Sequence, residues 1–393
     1  MICRTIITKE KILKHQSGKI IAEVFFILKN IAVFFGGKSV ERDVSVITGV
    51  MASNCIDKEK YNAIPVYVTE DGAWYTGQAL FDLDEYKNLD FKKLKQVTFV
   101  SGSNKLFVLK NKRVKPFCSI YCALNCMHGG VGENGSLSGV FNALDLPSAS
   151  PDVLSSSVSM DKAFTKTVMK GLGVKTLPYK KITENDIDAL DISPLTFPVI
   201  VKPNGLGSSV GVTVVKDQTS LKSAVEFALR YDATVIIEPF LQGVTEINCA
   251  GFLAPDDQVE ISLCERPVSR GDILSFSDKY QGGKRQFPAD IDEKIAKKIQ
   301  SVTKKVYQAL NFNGVIRIDY FVQGGTVYLN EINSVPGSLA NYLFGESMAD
   351  FTRLIDQLIE TGVSKNSKRQ TLNTKFNSGI LTGLSPKGSK RLH

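Results

Sequence analysis

Residues 314–337 hold the side chains of this sequence best suited to chemistry: Arg317, Asp319, Glu331 and Asn333, set in two apolar, β-branched-rich runs around Gly324-Gly325. Runs of that kind flanking a glycine pair predict a β-hairpin. Side chains alternate faces along a strand, so Arg317 and Asp319 share a face, as do Glu331 and Asn333. With Gln323 opposite Val327, Asp319 falls opposite Glu331 and Arg317 opposite Asn333. Two carboxylates facing each other across a ladder repel unless a cation sits between them. Carboxylate and amide oxygens are hard donors, suited to Mg²⁺ held together with substrate phosphates. A solvated edge hairpin would also carry polar side chains, but here Ile316, Ile318, Leu329 and Ile332 keep the other side apolar. The pattern predicts a metal–nucleotide site.

A second stretch, Asn204–Gly211, combines glycines that let backbone approach a ligand with Ser208 and Ser209, which donate hydrogen bonds. Such a loop can fold over phosphates. Gly/Ser loops are also common linkers, and the weight here comes from Lys202, a fixed ammonium on the preceding strand. The segment is not a P-loop, because the Gly-Lys-Ser/Thr ending is missing. Glu238 and Glu246 flank the linker after a later strand, where they would bind a ribose hydroxyl or simply be solvated; spacing leaves both open. Cys118, Cys122 and Cys126 near His128 match no common zinc spacing. They lie in the apolar run Phe117–Met127 and read as small buried residues of a strand.

The elements that must position these groups can be traced along the chain. Ile31–Phe35 is a short apolar strand ending at Gly36-Gly37, with a helix from about Ser39, which is how open α/β sheets begin. Further strands are expected at 62–68 and 118–126, so that 30–150 forms one open α/β domain. Ser159-Met-Asp-Lys162 opens a helix. A strand over Phe197–Pro203 and another over Gly211–Val215 make the Gly/Ser segment a hairpin loop, and Thr234–Leu241 is a strand that exits into a linker. Ile291, Ile295, Ile299, Val302, Val306 and Leu310 recur at helical spacing and predict a long helix just before the acidic hairpin.

Composition narrows the function classes. The chain has 393 residues, 43% hydrophobic, enough for two or three domains. Its net charge of +8 sits at the ends. Residues 1–29 carry six lysines and arginines against Glu10 and Glu23, residues 361–393 carry seven with no acid, and the body between is mildly acidic. Basic tails of this kind are more often solvated than nucleic-acid readers. Seven scattered cysteines fit reduced thiols in a cytosol. No stretch approaches the roughly 20 apolar residues of a spanning helix. The N-terminal apolar patch is interrupted by Glu23 and is a poor signal peptide.

From about residue 30 to about residue 380 the chain resembles the D-alanine–D-alanine ligase family of the ATP-grasp superfamily. The resemblance rests on Gly36-Gly-Lys-Ser-Val-Glu-Arg-Asp-Val-Ser45, His128-Gly-Gly-Val-Gly-Glu-Asn-Gly135, Ser159-Met-Asp-Lys162, Val201-Lys-Pro-Asn-Gly-Leu-Gly-Ser-Ser-Val-Gly211, Asp278-Lys-Tyr280, Arg317-Ile-Asp319 and Asn330-Glu-Ile-Asn-Ser-Val-Pro-Gly337. Seven motifs in the family's order are highly specific. They imply an α/β ATP-grasp fold of three domains: N-terminal over 30–150, central over 151–241 and C-terminal over 242–384. ATP would lie between the last two, with 1–29 as an extension outside the fold and 385–393 as a basic tail.

The resemblance also implies roles. Lys162 and Lys202 would contact the nucleotide phosphates, with Ser209, Phe240 and Leu241 also in the nucleotide site, and Glu238 and Glu246 would bind adenine and ribose. Asp319, Glu331 and Asn333 would hold two Mg²⁺ or Mn²⁺ ions. Glu41 would bind the ammonium of the first D-alanine, with His128 nearby, and Ser208 and Tyr280 would link to Glu41 in closing the site. Lys279 would meet the γ-phosphate or the second substrate's carboxylate, Ser338 and Tyr342 would contact that substrate, and Arg317 would neutralise the developing oxyanion. Substrates would be ATP and two D-alanines, without nucleic acid or membrane partners, in a cytoplasmic homodimer supplying peptidoglycan precursors.

Rival readings are ligases joining D-alanine to D-lactate or D-serine, and a nucleotide-binding relative without catalysis. Tyr280 favours the dipeptide ligase, and the intact set Lys162, Lys202, Arg317, Asp319, Glu331 and Asn333 argues against loss of catalysis. Three features depart from the family pattern. Only Gln281–Phe287 separates Tyr280 from Pro288, where relatives carry a long Gly-rich insertion; Tyr342 stands where a serine is common; and residues 1–29 have no counterpart.

Overall fold

The computed structural model describes residues 28–268 and 284–383. The first sheet has seven strands: β1 (Lys29–Gly36), β2 (Tyr61–Val68), β3 (Trp74–Thr76), β4 (Lys95–Phe99), β5 (Lys105–Lys110), β6 (Arg113–Ser119) and β7 (Cys122–Asn125), ordered β6-β5-β4-β3-β2-β1-β7. β1 runs parallel to both β2 and β7, while β3 to β6 extend the sheet as an antiparallel meander. Parallel strands are covered on both faces, and β1 shows it: Ile31, Val33 and Phe35 enter one core, Ala32 and Phe34 the other. Helix α1 (Arg42–Cys55) packs on the first face and α2 (Ser136–Ala143) on the second. Gly49 lets α1 approach closely, since a Cβ there would stand 2.2 Å from the Phe35 ring.

Helices α3 (Val153–Met160) and α4 (Lys162–Gly171) lead to the second sheet, built from β8 (Lys180–Thr183), β9 (Val199–Pro203), β10 (Thr213–Val215) and β11 (Thr234–Pro239) in the order β10-β9-β11-β8. One face, with Val199, Val201, Val235 and Ile237, packs on α5 (Leu221–Ala228). The third sheet follows from β12 (Thr245–Leu253) and β13 (Val259–Ile261), a small ribbon of β14 (Arg266–Val268) and β15 (Lys284–Gln286), helix α6 (Glu293–Ala309), and the hairpin β16 (Val315–Gln323) and β17 (Thr326–Asn333). Its order is β13-β12-β16-β17. Ile299, Val306 and Leu310 of the helical stripe are buried against Ile316, Ile318 and Leu329. Helix α7 (Met348–Gln370) returns to the first sheet's core through Phe351, Leu354, Ile355, Leu358 and Ile359.

Several expectations are adjusted. The hairpin turn is tighter than expected: Gln323 pairs with Thr326, yet Asp319 still pairs with Glu331 and Arg317 with Asn333, because the register shifts between Asp319 and Tyr320. The extra residue is Asn330 of β17, a β-bulge. Leu329 and Ile332 are three residues apart, and only this bulge lets both join the same core. The strand expected over 118–126 is two strands, β6 and β7, parted at Ile120-Tyr121. Helix α1 begins at Arg42 rather than near Ser39, and Glu41 occupies its N-cap. Lys29 and Asn30 belong to β1, so an extension outside the fold would end at Leu28. Among the described residues no helix is long and apolar enough to cross a membrane.

Candidate active site

A cleft of about 880 Å³ lies between the second and third sheets. One end is apolar, lined by Leu177, Ile200, Val212, Phe240, Leu241 and Phe321. The other carries Lys162, Lys202, Ser208, Ser209, Asp319 and Glu331, and Glu238 and Glu246 also line the cleft. Ten of the residues singled out from sequence therefore share one cavity. An apolar slot joined to a cationic, donor-rich floor has the shape of a purine followed by phosphates.

Each cationic group is placed by its backbone. Lys202 on β9 points to the same face as Ile200, which pairs with Glu238 on β11, so Lys202 and Glu238 are diagonal neighbours. Lys162 opens α4, whose start is docked onto the end of β9: Lys162 N donates to Asn204 O at 3.2 Å and Ala163 N to Asn204 Oδ1 at 2.9 Å. The Lys162 ammonium donates to Leu206 O at 2.6 Å and stands 3.8 Å from Glu331. Burial lowers its pKa, with Glu331 pulling the other way. Asn330, aimed by the bulge, accepts from Lys202 Nζ at 3.3 Å.

The hairpin's acidic pair already faces cations. Arg317 grips Asp319 with two bonds, Nε to Oδ1 at 2.7 Å and a terminal nitrogen to Oδ2 at 3.0 Å, and Glu331 has Lys162. Asn333 donates its amide nitrogen to Arg317 O at 3.4 Å, which leaves Oδ1 as its acceptor. Among the described residues no three His, Cys, Asp or Glu side chains converge. A divalent ion here would take Asp319, Glu331 and the Asn333 oxygen and complete its shell from phosphate and water, a donor set that fits Mg²⁺ or Mn²⁺.

Beyond the Gly/Ser loop stands Glu41. Ser208, held at φ 55°, donates its hydroxyl to Glu41 Oε1. Gly207 allows this approach, since a Cβ there would lie 3.0 Å from both carboxylate oxygens. His128 is buried and bonds through Nε2 to Thr48 Oγ1 at 2.9 Å. That hydroxyl also accepts from Ser338 N at 3.0 Å, so its proton is free to point at the imidazole. Burial pushes the His128 pKa down to about 4, with Val335 opposing and Arg317 reinforcing, so the ring is neutral at pH 7. Ser338, Leu339 and Ala340 form a left-handed run with φ near 50°. Arg317 reaches Tyr342 Oη at 3.2 Å, and burial raises the pKa of that phenol. Arg285 lies 5.0 Å over the Tyr342 ring and 3.4 Å from the buried Glu265. Lys279 and Tyr280 lie outside the described residues.

Three groups were missed from sequence. Glu133 accepts from Gly129 N at 2.8 Å and from Val335 N at 3.0 Å, tying the His128 turn to the segment after β17. Burial and Glu41 push its pKa up to about 8. It sits inside the quoted glycine-rich motif, where its type was visible but its partner was not. Asn330 is signalled by the Leu329–Ile332 spacing. Lys166 is one helical turn after Lys162 and pairs with Glu238 at 2.5 Å.

Comparison with known proteins bears on the family and fold. The D-ala D-ala ligase N-terminus model matches residues 30–151 and the D-ala D-ala ligase C-terminus model residues 168–360. A D-alanine--D-alanine ligase from Thermosipho melanesiensis is 33% identical over 362 residues, covering 88% of this chain and 97% of that one. The crystal structure of a D-alanine-D-alanine ligase from Helicobacter pylori superposes with a TM-score of 0.73 at 31% identity, over 85% of this chain and 98% of that one. The VanG D-Ala:D-Ser ligase from Enterococcus faecalis gives 0.71 at 25% identity, over 86% and 100%. With both family models matched in order and the fold shared over 85% of its length, the chain belongs to the D-alanine–D-alanine ligase family and has its ATP-grasp fold.

Proposed function

We propose that the cleft binds ATP with adenine in the apolar slot, ribose at Glu246 and phosphates over Lys162, Lys202 and the Ser208–Ser209 loop. The enzyme joins two D-alanines at the expense of ATP, for peptidoglycan precursor synthesis. A carboxylate is a poor electrophile, so the γ-phosphoryl group first passes to the carboxylate of one D-alanine, giving an acyl phosphate and ADP. The amine of the second D-alanine then attacks the acyl carbon, and phosphate leaves from the tetrahedral intermediate. Phosphoryl transfer needs chiefly positioning and charge neutralisation, which Lys162 and Lys202 supply from fixed backbone. Asp319, Glu331 and Asn333 would hold two Mg²⁺ or Mn²⁺ ions, whose charge offsets that of the phosphates when bound.

Glu41 receives the first D-alanine's ammonium, and neutral His128 lines that pocket without adding a competing cation. Arg317, held by Asp319 and Tyr342, would neutralise the developing oxyanion. Tyr342 and Ser338 contact the second substrate. Lys279 and Tyr280, carried over from the family resemblance, would act on the substrates, with Tyr280 favouring an amine nucleophile. The protein acts as a cytoplasmic homodimer. The observation that carries this reading is the Ser208–Glu41 bond, which joins the phosphate end of the cleft to the amino-acid side. Phosphate release from ATP with D-alanine alone, and with D-alanine plus D-lactate or D-serine, tests it. Release with D-alanine alone, matched by dipeptide, is expected; release dominated by D-alanine plus D-lactate or D-serine would overturn the assignment of the second substrate.

A further inference from the structure

Behind the charged end of the cleft lies a buried lysine with no assigned role. Lys166 lies on α4, four residues after Lys162, and so on the same side of the helix. Its ammonium stands 2.5 Å from Glu238 Oε1, while Lys202 stands 2.6 Å from Glu238 Oε2. The Lys166 and Glu238 side chains are each 1% exposed, and Lys202 is 10% exposed toward the cleft. One carboxylate is thus shared by two ammonium groups, one sealed inside and one facing the ligand.

Burying an ammonium costs free energy unless its charge is used. A Lys202–Glu238 pair alone would be neutral and would offer phosphates little net field. The third member changes that sum: Lys166, Glu238 and Lys202 together carry one positive charge, and the exposed member is Lys202. Sharing also fixes geometry. Glu238 is held on one oxygen by Lys166, so its other oxygen, with Asn330 Oδ1 at 3.3 Å, determines where the Lys202 ammonium sits.

We propose that Lys166 is a positioning residue for nucleotide phosphates: through Glu238 it keeps the Lys202 ammonium in place and leaves the buried triad with a net positive charge toward the cleft. The proposal rests on the reading of this cleft as the ATP site. It assigns to the Glu238 carboxylate an electrostatic task, holding two lysines, in addition to any contact with the nucleobase.

The test compares ADP with adenosine, which lacks phosphates, by calorimetric titration of the full chain, alongside KM for ATP and kcat. Lys166→Met should weaken ADP at least tenfold and raise the ATP KM similarly. Adenosine affinity and the D-alanine KM should stay within about twofold. Lys166→Arg should restore ADP binding. The double variant Lys166→Met/Glu238→Gln returns the triad to one positive charge and should recover most of the lost ADP affinity. A merely structural role for Lys166 would weaken adenosine and ADP alike and lower the melting temperature without recovery in the double variant; that result, or unchanged ADP binding in Lys166→Met, overturns the proposal. Failure of the unaltered protein to bind either ligand would instead overturn the nucleotide reading of the cleft.

Discussion

The first and third sheets use strands of similar apolar content to opposite ends. In β1, residues 31–35 are fully buried on both faces, because helices cover the sheet on each side. In β16, Ile316, Ile318 and Tyr320 are buried against α6, whereas Arg317 and Asp319 on the other face are only partly covered, and Asp319 lines the cleft. Both strands are rich in branched apolar residues, but only the second alternates with charge. A strand sealed twice carries stability; a strand sealed once has a free face on which to carry chemistry. Substitutions in the two should therefore separate stability from turnover.

The largest effect is expected from Phe34→Ala in β1, which empties a fully buried ring site packed against Trp74 and Phe141. It should cost about 3–5 kcal/mol of unfolding free energy, read by denaturant titration, with the ATP KM little changed in the protein that remains folded. Glu331→Gln on the hairpin should do the reverse. On the metal role proposed for Glu331 it would weaken ion binding and relieve repulsion with Asp319, so turnover should fall about 10²–10³-fold with no loss of melting temperature. Near-normal activity at ordinary Mg²⁺ would remove Glu331 from the metal site. A large loss of stability would show that the charged face is also structural, and would break the comparison.

His128 lies between these extremes, buried like β1 but beside the site. Its pKa is depressed from 6.5 to about 4. The unfolded chain therefore takes up a proton that the native state refuses as pH falls from 6.5 towards 4. The contribution to stability is complete above pH 6.5 and is lost on acidification through that window, by up to about 3 kcal/mol. His128→Asn should flatten the acid side of the stability–pH curve by about that amount. An unchanged slope between pH 6.5 and 4 would show that His128 ionises freely in the native state. The smallest effect is expected at the start of β1. Removing residues 1–28 should shift the melting temperature by no more than about 1–2 °C, the scale of a surface change. Removing residues 1–30 should cost more, because Asn30 Nδ2 donates to Ser119 O at 2.8 Å and Lys29 covers the Tyr121 ring. Equal losses from the two truncations would show that the earlier residues also pack on the body.

What could be read from sequence follows from the same contrast. The acidic hairpin was legible because apolar and charged residues alternate within Val315–Gln323 and the opposed carboxylates demand a reason. Its turn register was not, because a single extra residue, Asn330, is invisible unless Leu329 and Ile332 are required to share a core. The long helix α6 announced itself through six evenly spaced apolar residues. Strands β3 to β6 did not: they are short, partly exposed and polar enough (Lys95-Gln-Val-Thr-Phe99, for instance) to resemble loop. Lys166 and Glu133 were out of reach for another reason. Their partners, Glu238 and Val335, are distant in the chain, and nothing local to either residue distinguishes it from a solvated charge.

The bond from Ser208 to Glu41 has a thermodynamic consequence. On the proposed reading it joins the nucleotide position, reached by the phosphate loop, to the first amino-acid position at the start of α1, and so couples the two. Linkage then requires reciprocity: if nucleotide tightens the first amino acid by some factor, that amino acid tightens nucleotide by the same factor. The ratio of single to paired affinities gives the sign and size of that coupling free energy between the two halves of the site.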